Sequence, residues 1–171
     1  AVTHRRDPWI LNQFTGMTRG FPTAPLEQIA LATMKRFVPN VKMIHTPVEA
    51  TGLCFVSIKK NKPGEGLEIG KRIAQIVGIA KVVVVVDDDL EVLDRVQMLH
   101  AIGSRWQPQP ATAIMAESRG MPLDPSLTRR PCTSKVVIDA TRQWPEEGGP
   151  KTYQALNRAE QEVRDLDLRA A

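Results

Sequence analysis

The clearest hydrophobic pattern in the chain is an unbroken run of five valines, Val82–Val86, followed directly by Asp87–Asp89. β-Branched residues without polar alternation are typical of a strand buried on both faces, as in a parallel sheet covered by helices. The segment Gly52–Lys60 alternates well enough to predict a second strand, and Val41–Thr46 predicts a short one. The pattern therefore predicts an α/β fold with a mostly parallel sheet flanked by helices.

Apolar residues three and four positions apart predict helices between these strands. The helices are predicted at about 25–38, 65–77 and 93–105. The strand–helix–strand order across residues 52–86 predicts a βαβ crossover, in which both strands lie parallel in one sheet. Two further strands are predicted at Thr112–Ala116 and Lys135–Ala140, with a long loop rich in proline and glycine between them.

The two ends of the chain have different patterns. Short apolar segments on either side of Asp7-Pro8 predict a β-hairpin, as though the chain began within a larger domain. Apolar residues are sparse in the predicted final helix, which is typical of a helix that packs weakly on its own body or on a partner. The predicted units are a terminal hairpin at 1–22, a linking helix at 23–40, an α/β domain at 41–145 and a helical tail at 146–171.

Composition and charge exclude several classes of protein. The net charge is +4, from 23 basic and 19 acidic residues, and no long basic block indicates a nucleic-acid-binding arm. No segment approaches the roughly 18 apolar residues that span a membrane. The two cysteines, Cys54 in an apolar strand and Cys132 in a loop, follow no ligand spacing and indicate a reducing compartment. We therefore expect a cytoplasmic protein without nucleic-acid or membrane partners.

The acids Asp87–Asp89 follow a buried strand, and sites in open α/β folds lie at the carboxyl ends of strands. Such a cluster can hold Mg²⁺, accept a phosphoryl group or bind ribose hydroxyls. It can equally cap the next helix or pair with nearby lysine and arginine. Both interpretations stay open on the residues alone.

Other polar motifs carry less chemistry. The spacing of Gly64-x-Gly66-x-x-x-Gly70 is wrong for a phosphate-binding loop and predicts a flexible loop leading into a helix. The three histidines share no ligand spacing, and His100, in mid-helix, is predicted to be a buried or interfacial ring. No Ser-His-Asp or Cys-His set can be assigned.

The loop Ser118–Ser126 is the most unusual segment, because it is rich in proline and glycine yet carries the apolar residues Met121 and Leu123. Long structured loops that follow α/β strands often shape binding sites. The alternative is that the two side chains only attach the loop to the core. The pattern favours a binding role.

Five segments together are similar to the C-terminal part of the UbiD-like decarboxylases, which use prenylated flavin mononucleotide (FMN). The segments are Thr3–Pro8, Lys81–Asp89, Ala101–Pro108, Arg119–Ser126 and Ser134–Thr141. They occur in the order and at about the spacing of that family and cover nearly the whole chain. The chain departs from the family at His100, where a tryptophan is usual.

The resemblance implies a parent enzyme that removes, and sometimes adds, a carboxylate on an aromatic, heteroaromatic or α,β-unsaturated acid. In the family a glutamate–arginine–glutamate network handles protons, and a divalent metal (Mn or Mg) and potassium hold the flavin phosphate. These groups precede the matching region. The resemblance therefore implies that this chain alone has no catalytic residue, binds neither flavin nor metal, and depends on an N-terminal flavin-binding domain in the same or a separate chain.

The resemblance also implies two jobs for this region, closing over the flavin domain and carrying subunit contacts in a homodimer or larger homo-oligomer. Met121 and Leu123 match positions whose side chains face the substrate, and Thr23 and Leu26 match a second wall less closely. The resemblance also implies that Asp87–Asp89 have a structural role. Two alternatives are a receiver-like phosphoacceptor domain, with Lys135 on a later strand, and a purely structural assembly domain.

Overall fold

The computed structural model describes residues 23–47, 50, 52–120, 124, 126–127 and 131–151, apart from the side chains of residues 23–27 and 30. The elements are α1 (Thr23–Phe37), β1 (Val41–His45), β2 (Leu53–Ile58), α2 (Glu65–Ile76), β3 (Val82–Asp87), α3 (Arg95–Ser104), β4 (Thr112–Arg119), β5 (Cys132–Asp139) and a 3-10 helix (Pro145–Glu147). The predicted hairpin and nearly all of the predicted final helix lie outside the described residues. Within the described part, no helix has the length and apolar character needed to cross a membrane.

The five strands form one mixed sheet in the order β1-β2-β3-β5-β4. The three central strands β2, β3 and β5 run parallel, whereas β1 and β4 pair antiparallel at the two edges. The β2–α2–β3 crossover is confirmed, but the expectation of a mostly parallel sheet is wrong. Antiparallel neighbours need only a short connection, and hydrophobic patterning does not report strand direction.

The valine run lies at the centre of the sheet and faces both layers, as the sequence predicts. Val83 and Val85 pack with Ile69 and Ile73 of α2 on one side, where α1 adds Met34. On the other side Val84 and Val86 pack with Met98 and Ala101 of α3. All four of these valines are fully buried. Cys54 is also buried in the first of these clusters, as its apolar context predicts.

Helix α2 approaches the sheet unusually closely because of its glycines. Gly64 precedes the helix in the left-handed conformation, with φ of 73°, which favours glycine. A Cβ atom on Gly66 would lie 2.3 Å from Asp139 Oδ2, and one on Gly70 would lie 2.3 Å from Val137 Cγ1. Gly66 and Gly70 therefore form a close-packing surface against β5, within the helix predicted at about 65–77.

Strands β4 and β5 extend beyond the sequence prediction, to Arg119 and from Cys132. The added residues are polar and mostly exposed at a sheet edge, so no apolar alternation marks them. The Gly120 amide donates to the Pro131 carbonyl at 2.7 Å and closes the connecting loop at its base. The loop between the strands therefore runs from residue 120 to 131.

Candidate functional site

The carboxyl edge of the sheet, where β2, β3 and β5 end, carries the acidic cluster. The Arg105 guanidinium donates to both carboxylate oxygens of Asp89 at 2.9 Å and to Asp87 Oδ2 at 3.2 Å. The Arg105 side chain is only 6% exposed. A bidentate arginine–carboxylate pair of this kind is strong and directional. Arg105 therefore occupies the position from which a cation would contact both acids.

Arg142 completes this cluster from the segment after β5. Its backbone amide donates to Asp87 Oδ2 at 2.7 Å, and its guanidinium donates to Asp89 Oδ2 at 2.6 Å. Asp88 is exposed. The cap of α3 is instead Asp94, whose carboxylate accepts hydrogen bonds from the Val96 and Gln97 amides. The geometry thus supports the ion-pairing interpretation of the acids rather than the capping one.

The pKa values of the two acids shift in opposite directions. Burial raises the pKa of Asp87 above its ordinary value, despite the Arg142 amide and the Arg105 charge. Burial also acts to raise the pKa of Asp89, but hydrogen bonds and charge from Arg105 outweigh it and hold that pKa low. Among the described residues, no group of three His, Cys, Asp or Glu side chains is arranged to hold a metal ion. These acids do not fit a metal or cofactor site.

A second, more deeply buried ion pair lies beside the first. Lys60 Nζ donates to Glu147 Oε2 at 2.6 Å, and the two side chains are 2% and 8% exposed. Lys60 also donates to Thr141 Oγ1 and the Arg142 carbonyl and lies 5.9 Å from the centre of the Trp144 ring. These contacts fasten the 3-10 helix to the end of β2. The carboxyl edge is therefore filled by the chain's own charges.

Lys135, the residue that the receiver hypothesis requires, lies elsewhere. Its Nζ donates to the Ala74, Val77 and Gly78 carbonyls at the end of α2, at 2.5 to 3.4 Å. Burial lowers the pKa of Lys135. Lys135 precedes Val136, which pairs with Val82 at the beginning of β3, whereas Asp87 is the last residue of that strand and Asp89 follows it. The arrangement of a receiver domain is therefore absent from these residues.

The amino edge of the sheet, where β2, β3 and β5 begin, holds a different constellation. Lys81 lies directly before β3, and its Nζ is 2.8 Å from Asp124 Oδ2 in the loop between β4 and β5. Lys81 also donates to the Ser126 hydroxyl. Sequence analysis did not select Lys81 as a site residue, because a single lysine before a strand carries no signal of its partner. Its position in a family segment was the only indication.

Two of the predicted pocket residues lie outside the described residues, and for the other two only the backbone is described. Met121 and Leu123 lie outside the described residues, between Gly120 and Asp124, which are described. Thr23 and Leu26 lie in the first turn of α1, where the backbone alone is described.

The chain direction nevertheless orients α1. Residues 38–40 return the chain from α1 to β1, with the Val41 amide donating to the Val38 carbonyl. Leu31 and Met34 pack on the sheet, so α1 runs back along β1 and begins near the side where β1 ends. His45 at that end pairs with Phe55, in the first half of β2. The start of α1 therefore points toward the amino edge.

The remaining candidates have simple placements. His100 is exposed on α3, so the expectation of a buried ring is wrong, and an interfacial ring stays a prediction. One face of α3 is directed to solvent and the other to the sheet. Hydrophobic periodicity alone did not show that His100 lies on the solvent face. Cys132 is exposed at the first residue of β5.

Residues 21–140 match the family described as the 3-octaprenyl-4-hydroxybenzoate carboxy-lyase C-terminal domain. An anhydromevalonate phosphate decarboxylase of Archaeoglobus fulgidus is 34% identical over 142 residues, which cover 77% of this chain and 30% of that protein. The chain spans about a third of the length of the curated relatives that it matches.

Solved structures show the same likeness. The UbiD-class enzyme HmfF of Pelotomaculum thermopropionicum, in complex with FMN, matches with a TM-score of 0.65 and 27% identity over 79% of this chain and 31% of that chain. The vanillic acid decarboxylase of Sedimentibacter hydroxybenzoicus in its closed form matches with a TM-score of 0.67 and 25% identity over 80% of this chain and 31% of that chain. An open form of the same enzyme, with one truncated component, matches with a TM-score of 0.69 and 25% identity over 83% of this chain and 32% of that chain.

Proposed function

Because this chain belongs to the family of C-terminal domains of UbiD-class carboxy-lyases, we propose that it is the lid and assembly part of a prenylated-FMN-dependent decarboxylase. The observation that carries the proposal is the family match over residues 21–140, in a chain that spans a third of its relatives. The substrate class is an aromatic, heteroaromatic or α,β-unsaturated carboxylic acid, and the reaction is reversible. Relatives named for vanillic acid and anhydromevalonate phosphate support an unsaturated acid.

The reactive groups belong to a different domain. The flavin, a divalent metal (Mn or Mg) and potassium bind to an N-terminal flavin-binding domain, in the same or a separate chain. A relative in complex with FMN supports the flavin, and the engagement of Asp87 and Asp89 by Arg105 supports a metal site elsewhere. Purified alone, this chain should bind no flavin and leave candidate acids unchanged. Turnover by this chain alone would contradict the proposal.

The substrate wall is proposed at the amino edge. Met121, Leu123, Thr23 and Leu26 face the substrate. The support is that the loop carrying the first two is held at this edge by Lys81, while the start of α1 points to the same edge. Apolar walls suit an aromatic or alkenyl ligand, and excluding water strengthens electrostatic interactions in a closed site. A relative solved in open and closed forms supports a closing motion.

We expect Met121→Ala and Leu123→Ala to lower kcat/KM by about tenfold in the protein that joins this chain to its flavin-binding domain, because each removes apolar pocket contacts. The effect should differ between small and bulky acids, which steady-state kinetics on a panel of aromatic and acrylic acids would measure. Ile76→Ala is a matched control, since this exposed side chain lies at the end of α2. Unchanged kinetics in both loop variants would favour the purely structural assembly domain.

The proposed assembly surface is the outer side of α3, where a second copy of this chain binds. Val96 and Leu99 of α3 are exposed, as is Leu93 just before the helix, whereas Met98 and Ala101 of α3 face the sheet. Contiguous exposed apolar patches mark interaction surfaces, and these side chains are the basis for placing the subunit contact here.

Replacing Leu99 with glutamate is expected to shift the full protein from dimer or larger oligomer toward monomer, because the charge would be buried without a partner. Sedimentation velocity across a concentration series would show the shift. Lys71→Glu, an exposed change on α2, is the control for altered charge alone. An unchanged mass distribution for Leu99→Glu would remove this surface from the assembly.

A further inference from the structure

Lys81 joins two parts of the chain that are 45 residues apart, the beginning of the central strand and Ser126 in the loop before β5. Its backbone belongs to the sheet, because its amide donates to the Gly52 carbonyl at 2.7 Å and its carbonyl accepts from the Val136 amide at 2.8 Å. The side chain is therefore anchored to the sheet through its own backbone.

Asp124 receives this cation and organises the loop around it. Its Oδ2 is 2.8 Å from Lys81 Nζ, while its Oδ1 accepts the Ser126 amide and hydroxyl, both at 2.9 Å. The Leu127 amide donates to the Asp124 carbonyl. An aspartate that accepts the amide two residues on fixes a turn. Both oxygens of one carboxylate thus shape the loop, one locally and one through the sheet.

The electrostatics agree with this geometry. The Asp124 side chain is 13% exposed and that of Lys81 is 33% exposed, so the pair is partly shielded from water. Burial acts to raise the pKa of Asp124, but the hydrogen bonds from Lys81 and Ser126 outweigh it and hold the pKa below its ordinary value. Asp124 is therefore ionised at neutral pH. A pair of this kind is screened less than an open surface pair.

The base of the loop is held separately. The Gly120 amide donates to the Pro131 carbonyl, and a Cβ atom on Gly120 would lie 3.0 Å from Thr133 Cβ. These contacts join the two strand ends, and the Leu127 side chain also lies beside Gly120, with Cδ2 3.1 Å from the position of such a Cβ atom, but none of them involves Asp124. Within the part of the loop that the structure describes, Lys81 provides the ion pair that ties its middle to the sheet.

We propose that Lys81 is a positioning residue, which fixes the β4–β5 loop through Asp124 and thereby sets substrate affinity and selectivity. The inference rests on the proposed function, since Leu123 is the neighbour of Asp124 and Met121 lies three residues before it. Displacing a pocket wall removes apolar contacts that the ground state and the transition state share, and loss of such uniform binding raises KM while leaving kcat unchanged. The chemical step depends on groups outside this chain and is not expected to change.

The test compares Lys81→Met, Lys81→Arg and Lys62→Met. Methionine keeps an apolar stem without the cation, and arginine keeps the charge. Lys62, in the loop before α2, is the matched control, because its 2.7 Å pair with Glu68 of α2 has side chains 59% and 43% exposed. Hydrogen–deuterium exchange on this chain reports the loop, and kinetics on the protein with its flavin-binding domain report KM and kcat separately.

Lys81→Met is expected to speed exchange at the Ser126 and Leu127 amides and to raise KM about tenfold, with kcat within about twofold of the wild type. Lys81→Arg should recover most of both effects, and Lys62→Met should match the wild type. If Lys81→Met lowered kcat, raised KM and lowered thermal stability to similar extents, Lys81 would have only a structural role and the inference would be overturned. So would unchanged exchange and KM.

The same experiment separates the inference from the function on which it rests. A wild-type protein with its flavin-binding domain that converts no acid overturns the proposed function, and the positioning role with it. An active wild type whose KM does not respond to Lys81→Met overturns the positioning role alone. A KM that responds to Lys81→Met but equally to Lys62→Met assigns the effect to net charge and also overturns it.

Discussion

Replacing Glu147 with glutamine is expected to lower the free energy of unfolding by about 3–5 kcal/mol, because removing one partner of a buried ion pair leaves the other charge uncompensated. The Lys60 side chain, 2% exposed, would lose its carboxylate partner. Glu147 also accepts the Gly64 and Trp144 amides, at 2.6 and 2.7 Å, and glutamine can replace only part of this acceptor capacity. Urea denaturation followed by circular dichroism would measure the loss.

Glu146→Gln is the matched control, since Glu146 is exposed in the same 3-10 helix. Surface changes of this kind stay within about 0.5 kcal/mol. Adding Lys60→Met to Glu147→Gln should recover part of the loss, because no unpaired charge then remains. Equal effects of Glu146→Gln and Glu147→Gln would show that the buried pair does not stabilise the fold.

The pH dependence of this pair has a defined sign. Burial acts to raise the pKa of Glu147, but the hydrogen bonds from Lys60, Trp144 and Gly64 outweigh it, so the folded-state pKa lies below the ordinary value. The stabilisation is therefore fully present above the unfolded pKa of about 4.3 and is lost as pH falls through the folded one. The difference between wild type and Glu147→Gln should be largest near neutrality and shrink below about pH 4.

Replacing Gly70 with alanine is expected to destabilise the fold by about 1–3 kcal/mol, although alanine is the better helix former. The new Cβ would lie 2.3 Å from Val137 Cγ1 and 3.0 Å from Val85 Cγ2, so α2 would have to move away from the sheet. Both neighbours are fully buried, which leaves them little room to adjust. Thermal and urea denaturation of the variant would measure the change.

The same substitution at Gly103 should have the opposite sign. Gly103 lies in α3, and a Cβ atom there would meet nothing within 4 Å. Gly103→Ala should therefore stabilise the protein by up to about 1 kcal/mol through helix propensity alone. A destabilisation of similar size at both positions would show that close packing against β5 is not the reason for Gly70.

Topology explains why the two sheet edges have different roles. Sites in parallel α/β sheets usually lie at the carboxyl ends of the strands. Here Arg105 and Lys60 fill that edge with ion pairs. Strand β4 runs antiparallel to β5, so the connection between them must lie at the amino edge. The antiparallel direction of β4 thus places the β4–β5 loop at the amino edge, where the substrate wall is proposed.

Local pattern in the sequence predicted the helices and strands between residues 25 and 140 and the burial of the valine run. The valine run predicted a strand covered on both faces, because side chains that alternate across a sheet must all be apolar when both faces are buried. The residues around it predicted α2 and the parallel β2–α2–β3 unit, which the structure confirms. Periodicity was blind to strand direction, and so it did not indicate that β1 and β4 are antiparallel.

Tertiary structure alone decided which charges meet. Lys60 and Glu147 are 87 residues apart, and Lys81 and Ser126 are 45 apart. Nothing in the sequence distinguishes these residues from other polar residues, because the order of the strands in the sheet brings each one within hydrogen-bonding distance of its partner. The close approach that Gly70 permits is likewise a property of α2 and β5 together. Burial follows from the character of one residue and its near neighbours, whereas pairing and fit depend on the relative placement of distant segments.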